Sequence, residues 1–486
     1  MRTPGASLTL VLVCALAGRS ATARADGASP PAPPPHPSTL PEDARRAPGE
    51  KRPLQEYEGR PRETTTAEDA LWVPRVLLFP AYLVSEFVVR RPLGAIDTAL
   101  ETGSTGGRLI DVFTFGPRHN AGLVPTAFYD FGFRPSAGLY LFYDDFLATD
   151  NQLRAAFATG GERYFRARVV DRIPLHVVRG EDGEHEVRAN LQLELAGLAR
   201  PDHRFYGLGF GSKSAHGSEF EQRSVGGGVR FRAEPWRWSF LESWVLYRHH
   251  DFSDGGCDAR PSDCDHPPIS WAIERGWYAA PVGFDGYQTI KVGARAVVDT
   301  RPDRPAPGSG AGSEIRLELT NDTRGGEWAE GGATVGGFLD LTGTRRVLEL
   351  TLDVRALEPL SSGTAIPFTE LVGAARMDGI LEDGVLRGFI AGRLLGESSV
   401  VASLGYSWPI WAWVDATLQA QVGNVFAHRL ADFAPERLRF SFVGGFRSPN
   451  HRDHALNVLL GFGTEPFADG GSPESLRFLI GGTTGF

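Results

Sequence analysis

Leu348-Glu-Leu-Thr-Leu-Asp-Val-Arg355 carries the decisive pattern. Leu348, Leu350, Leu352 and Val354 fall on one parity, and Glu349, Thr351, Asp353 and Arg355 on the other. Strand side chains alternate between two faces, so this run is a strand with one apolar and one charged face. The pattern recurs. Ile290, Val292, Ala294, Ala296 and Val298 alternate with Lys291, Gly293 and Arg295, and Ile315, Leu317 and Leu319 with Glu314, Arg316 and Glu318. Val414, Ala416, Leu418, Ala420 and Val422 oppose Asp415, Thr417, Gln419 and Gln421. The final stretch sets Leu476, Phe478, Ile480 and Phe486 on one parity.

A charged parity repeated over so many strands fits a closed barrel with a wet lumen and its apolar parity against lipid. Aromatic residues near strand ends (Tyr129, Phe131, Trp236, Trp408, Trp411) suit interfacial girdles. At roughly 20–25 residues per strand and connection, residues 110–486 hold about 16 strands, an even number as expected of bacterial single-chain barrels. The expected fold class is therefore all-β, a transmembrane antiparallel β-barrel. A secreted β-sandwich or propeller is the competing fold, but no repeat period supports a propeller.

Composition narrows the function. Net charge is −9, which excludes a general nucleic-acid binder. Thirty Phe, eleven Tyr and ten Trp exclude disorder throughout. Beyond the N-terminus no uncharged apolar run is long enough for a spanning helix.

The N-terminal part divides in three. Arg2, the apolar run Leu8–Ala17 and Ala23-Arg24-Ala25 have the layout of a signal peptide over residues 1–25. Its removal takes three arginines and no acids, leaving a net charge of −12. Residues 26–66 are Pro-rich and read as a disordered linker. Residues 67–109, broken by Pro74, Pro80 and Pro92, read as a short amphipathic helical segment ahead of the barrel. Past the signal peptide only Cys257 and Cys264 remain, in a Pro- and Asp-rich loop, and in an exported chain they read as a disulfide. Thiolate ligation of a metal with His266, or with His249 and His250, competes, but the compact spacing of a zinc site is missing.

Several short stretches remain. Arg204-Phe205-Tyr206-Gly207-Leu208-Gly209 precedes a strand pair, and Val298-Asp299-Thr300-Arg301 ends a strand. Val385-Leu386-Arg387-Gly388-Phe389 lies in a Gly-rich loop, and Gly423-Asn424-Val425-Phe426 ends a later strand. With the terminal Phe486, this ordered set resembles the barrel domain of the BamA/TamA outer-membrane assembly factors, over residues 110–486. The resemblance implies a bacterial outer-membrane location and a role in inserting or translocating polypeptides through a lateral seam. It implies that Arg387, Gly388 and Phe389 form the tip of a loop folded into the lumen, with Arg387 paired to acids on the wall. Asp299, Thr300 and Arg301 become the strand-end motif, and Phe486 the assembly signal. Partners would be outer-membrane lipid, unfolded outer-membrane proteins and a separate periplasmic protein.

Two departures qualify this. Gln421 and Gly405-Tyr406-Ser407-Trp408-Pro409 stand where the family often has acids, so Asp415, Glu397 or Asp353 would have to serve Arg387. Residues 26–109 also leave too little non-linker chain for a periplasmic POTRA module. The alternative function is a passive channel or structural barrel, its pore lined by Lys291, Arg295, Glu314, Arg316, Glu318, Asp353 and Arg355. Neither a nucleophile elbow, a phosphate loop nor a His-Glu-x-x-His motif occurs, so no enzyme, catalytic residue, metal or cofactor is expected.

Overall fold

The structure, a computed structural model, describes residues 113–116, 119–179, 185–236, 239–255, 264–301, 308–373, 386–411, 414–447 and 455–483. Residues 1–112, and with them the signal peptide, the linker and the 67–109 segment, lie outside the described residues, as do Cys257 and Phe486. Sixteen strands form one antiparallel barrel, and the two-residue strand Thr114–Phe115 pairs with Ala121 and Gly122 of the first of them. They are β1 (Ala121–Asp130), β2 (Ser136–Asp144), β3 (Gln152–Thr159), β4 (Phe165–Arg179), β5 (His185–Phe205) and β6 (Ser218–Trp236). Then follow β7 (Ser239–Asp254), β8 (Tyr287–Asp299), β9 (Gly310–Asp322), β10 (Glu327–Asp340) and β11 (Val347–Pro359). The last five are β12 (Ser398–Trp411), β13 (Val414–Phe426), β14 (Arg439–Arg447), β15 (Ala455–Pro466) and β16 (Pro473–Thr483). Each strand pairs with the next, and β16 returns to β1. The expected fold class and strand number are both met.

The two parities behave as the alternation requires. Leu317 is 54% exposed while its neighbour Glu318 is 3% exposed. A water-soluble sheet would show the reverse, so the outer wall is made for lipid and the inner wall for polar contacts. On that inner wall neighbouring strands neutralise one another. Arg168 and Arg230 reach Glu194 at 3.0 and 3.3 Å, Arg295 reaches Glu242 at 3.3 Å, and Lys291 reaches Glu318 at 3.3 Å. Trp244 donates its indole N–H to Glu318 at 2.9 Å.

All turns at one end of the barrel are short or moderate, whereas the other end carries the long connections 206–217, 255–286 and 360–397. The second of these holds a short helix, α1 (Ile269–Glu274). The described parts of these connections turn inward and pack on the wall. Phe205, Phe220, Trp328 and Leu357 from the strands meet Ile269 and Phe368 from the connections in one buried cluster. The lumen is therefore occupied at its long-loop end, and burial of this apolar surface fixes the connections in place.

Candidate functional site at the barrel seam

Among the described residues, β16 and β1 pair at three positions only: Leu479 with Asp130, Ile480 with Tyr129 and Gly481 with Phe128. Ten pairs join β15 to β16, and eight join β1 to β2. One further bond runs from the Phe131 N–H to the Phe478 carbonyl, at 2.7 Å. Above it β1 has ended, and among the described residues Pro473–Arg477 of β16 have no partner strand on that side. The seam is thus the weakest joint of the wall, since each backbone hydrogen bond adds about 0.5–1.5 kcal/mol net.

Side chains reinforce it from within. Arg477 donates from Nε and Nη2 to the two Asp130 carboxylate oxygens, at 3.0 and 2.8 Å. Both side chains are nearly buried, and the fork geometry matches a carboxylate. The third arm of Arg477, Nη1, donates to the Phe389 carbonyl at 3.2 Å. One guanidinium therefore holds both seam strands and the loop ahead of β12.

That loop is seated strand by strand. The Arg387 N–H donates to Gln421 Oε1 at 2.8 Å and the Gly388 N–H to Ser441 Oγ at 2.8 Å. Ser475 Oγ donates to the Gly388 carbonyl at 2.8 Å. A Cβ at Gly388 would collide with the Phe462 carbonyl, so only glycine permits this approach. The Phe389 ring lies on Gly463, where a Cβ would strike it, and is fully buried with Leu386, Leu394, Val401 and Val425.

A second knot lies above. Arg393 donates to both oxygens of Glu474 on β16, at 2.9 and 3.1 Å, and Arg439 on β14 pairs with the same carboxylate. Arg393 also donates to the Ser212 carbonyl at 2.7 Å, and Arg439 to the Phe210 carbonyl at 3.0 Å. Glu474 would face outward by parity. The register shift at Gly463/Thr464 of the β15–β16 ladder turns it inward, as bulges do.

Ser212 and Phe210 belong to the β5–β6 connection, which starts on the far side of the seam. The top of β5 bends over the shorter strands β1–β4. Asp202 accepts from the Arg134 N–H at 2.6 Å, Arg200 lies 4.8 Å over the Phe133 ring, and Arg204 donates to the Gly132 carbonyl. The Gly209 N–H then donates to the Leu395 carbonyl at 2.7 Å. A strap from β5–β6 thus crosses the upper seam and is tied on the other side.

Several groups in the long connections have displaced proton equilibria, Glu370 and Tyr278 among them. Burial alone would raise the Glu370 carboxyl, but the Lys291 ammonium, His250 and the Tyr287 hydroxyl hold it below the usual carboxylate range. Burial pushes the Tyr278 phenol, bonded to Ser218, up to about 12.

The residues singled out in the sequence fall in different places. Arg387, Gly388 and Phe389 meet the inner wall near the seam. Asp299, Thr300 and Arg301 sit at the opposite end on the β8–β9 connection, where Arg301 bonds Asp299 at 3.0 and 2.8 Å and lies over Phe338. Cys264 is disulfide-bonded. Of the acids considered for Arg387, Glu397 lies 3.8 Å from His428, and Asp353 bonds Thr334 at 2.6 Å and Arg355 at 3.2 Å. Sequence reading missed Asp130, Arg393, Arg439, Glu474 and Arg477. Arg439 and Arg477 stand on the polar parity of their strands, which was the available signal.

No family model and no curated protein matches the chain. Among solved structures, it resembles BamA from Haemophilus ducreyi lacking POTRA domains 1–3, with TM-score 0.51 and 14% identity over 75% of this chain and 70% of that one. CdiB from Acinetobacter baumannii aligns at TM-score 0.43 with 9% identity, over 75% of this chain and 59% of that one. CdiB from Escherichia coli aligns at TM-score 0.43 with 8% identity, over 74% and 62%. The likeness is one of fold. With its apolar outer wall and polar inner wall, the molecule is an outer-membrane β-barrel of BamA-like fold.

Proposed function

We propose that the protein aids insertion or translocation of polypeptides at the outer membrane by parting between β16 and β1. The observation that carries this reading is the three-residue pairing of the seam. A parted seam exposes two strand edges, and such edges recruit an incoming strand through main-chain hydrogen bonds. The Arg387-Gly388-Phe389 loop braces the inner wall, and Arg477 couples it to the seam. Long loops face the cell exterior, as in other barrels of this class. Unfolded outer-membrane proteins are the proposed substrates, delivered by a separate periplasmic partner. A passive channel is disfavoured by the apolar cluster around Phe368 at the long-loop end and by the mutual pairing of the charges that would line a pore.

The test is reconstitution of the full chain in proteoliposomes with a urea-unfolded barrel substrate. Faster substrate folding than in empty vesicles supports the reading, and its loss in a variant cross-linked across the seam through cysteines at Tyr129 and Ile480 assigns it to seam opening. No acceleration by correctly oriented protein would refute autonomous insertion.

A further inference from the structure

The seam edge of β1 has two separate occupants. On its other edge, Ala121–Phe128 pair with β2 throughout. On the seam edge, among the described residues, β16 pairs with Phe128, Tyr129 and Asp130 alone. β16 itself runs on along β15 to Thr483, yet its pairing with β1 stops at Gly481. The two-residue strand Thr114–Phe115 pairs with Gly122 and Ala121. Because β2 fills the other edge, Thr114–Phe115 lies on the seam edge, at the end away from the long connections. Leu123–Ala127 stand between the two occupants, with no partner strand on that edge among the described residues.

Backbone direction agrees. The Phe131 N–H bonds the Phe478 carbonyl across the seam, and the Asp144 N–H bonds the Asn120 carbonyl on the β2 edge, at 2.7 Å. Successive residues of a strand aim their backbone groups at opposite edges. Ala121, Leu123, Pro125, Ala127 and Tyr129 therefore face the seam. Pro125 has no N–H to offer, and proline is tolerated on an edge that is not continuously paired. Phe115 meets Ala121, one of these seam-facing residues.

The lead-in is shaped for this return. Gly116 and His119 take positive φ, 85° and 51°, and reverse the chain. The His119 N–H donates to the Gly116 carbonyl at 3.2 Å, and the Thr114 hydroxyl lies 2.7 Å from His119 Nδ1. A Cβ at Gly122 would strike the Phe142 ring and the Phe113 carbonyl, so glycine lets the lead-in lie against β1. The hold is small, for two residue pairs join the lead-in to β1 and the Phe115 side chain is 53% exposed.

We propose that Thr114–Phe115 is a displaceable cap on the seam edge of β1, held by the chain itself in the place of an incoming strand. This rests on the insertion reading, in which an extended polypeptide adds to that edge. A strand laid antiparallel along Ala121–Ala127 meets the donors and acceptors of Ala121, Leu123 and Ala127 and the carbonyl of Pro125. Thr114–Phe115 reaches Ala121 alone of these. The longer partner makes more bonds and displaces the cap, whereas a segment that makes no more than two pairs does not. Between substrates the cap shields an edge that would otherwise pair with any extended chain.

The experiment compares the folding of a urea-unfolded barrel substrate in proteoliposomes holding the full natural chain, its Phe115→Pro variant, or a double variant Phe115→Cys and Ala121→Cys. A hydrogen-bonded antiparallel pair sets its Cα atoms about 5.5 Å apart, within reach of a disulfide. Phe115→Pro removes the N–H that meets Ala121. It should speed substrate folding about two- to tenfold over the natural chain, the worth of one backbone hydrogen bond. The oxidised double variant should fall to the empty-vesicle rate and recover on reduction, with the natural chain under the same reductant as control, and it serves if Phe115→Pro does not fold. Equal rates for the natural chain, Phe115→Pro and the oxidised double variant, all above empty vesicles, would overturn the cap and leave insertion standing. Empty-vesicle rates throughout would overturn insertion and the cap with it.

Discussion

Replacing Asp130 with asparagine tests whether the seam depends on its ion pair. Asparagine keeps one acceptor for Arg477 but removes the charge and the second bond, so the guanidinium retains a neutral oxygen and the Phe389 carbonyl. Complete loss of one partner from a buried pair costs about 3–5 kcal/mol. With one acceptor kept, about 2–3 kcal/mol is a fair expectation. The backbone pairing of the seam, three residue pairs and one further bond, contributes roughly 2–5 kcal/mol by the same scale. The substitution should therefore remove about half of what closes the seam. At 1.4 kcal/mol per tenfold, seam opening becomes roughly 30–150 times more populated. Amide hydrogen exchange read by mass spectrometry gives the opening directly. Peptides covering Phe128–Phe131 and Phe478–Gly481 should lose protection by that factor, while the β9–β10 ladder keeps its own. Unchanged seam protection would refute the reasoning. A uniform loss over all strands would refute it too, because the ion pair would then serve the whole barrel.

Three further outcomes follow from the same contacts. Gly388→Ala should unseat the braced loop, because its Cβ collides with the Phe462 carbonyl, and the barrel should unfold at lower temperature in detergent electrophoresis; an unchanged temperature would show that the loop is not a brace. Glu370 is held below the ordinary 4.5, so it contributes stability above that pH and loses it as pH falls through its folded value. Thermal scans from pH 6 down to pH 2 should then show a shallower decline for Glu370→Gln than for the natural chain, and parallel curves would remove Glu370 from the acid response. Peptide mapping without reductant should link Cys257 to Cys264, and separate free thiols at both positions would contradict that pairing.

The alternation made the fold legible because lipid and lumen impose a strict period of two on every strand. Leu348, Leu350 and Leu352 lie outward and Asp353 lies inward as their parity requires. The site was harder to read. Arg477 and Asp130 are 347 residues apart, and only the closing register brings them together. No local pattern encodes that register. Glu474 is harder still, since its parity points outward and a bulge reverses it. The lumen charges were legible as a polar face, but not as pairs such as Arg295 with Glu242, which lie on adjacent strands joined by a long connection. Arg387 was found through a resemblance, whereas Arg393, six residues further on in the same loop and paired with Glu474 on β16, had no such pointer.

The closing contacts also bear on what can replace β1 if the seam parts. An incoming strand restores the backbone bonds of β16, because every residue except proline carries the same donor and acceptor. It does not automatically restore a carboxylate to Arg477. Without one, that guanidinium keeps only the Phe389 carbonyl, and an unpaired buried charge is costly enough to favour return of β1. A strand with Asp or Glu at the position opposite Leu479 would satisfy Arg477 as Asp130 does. A strand with an apolar residue there would pair along the edge and still be displaced. The seam would then discriminate among strands by one inward side chain, and the same ion pair that keeps the barrel shut when idle would make release of most strands favourable.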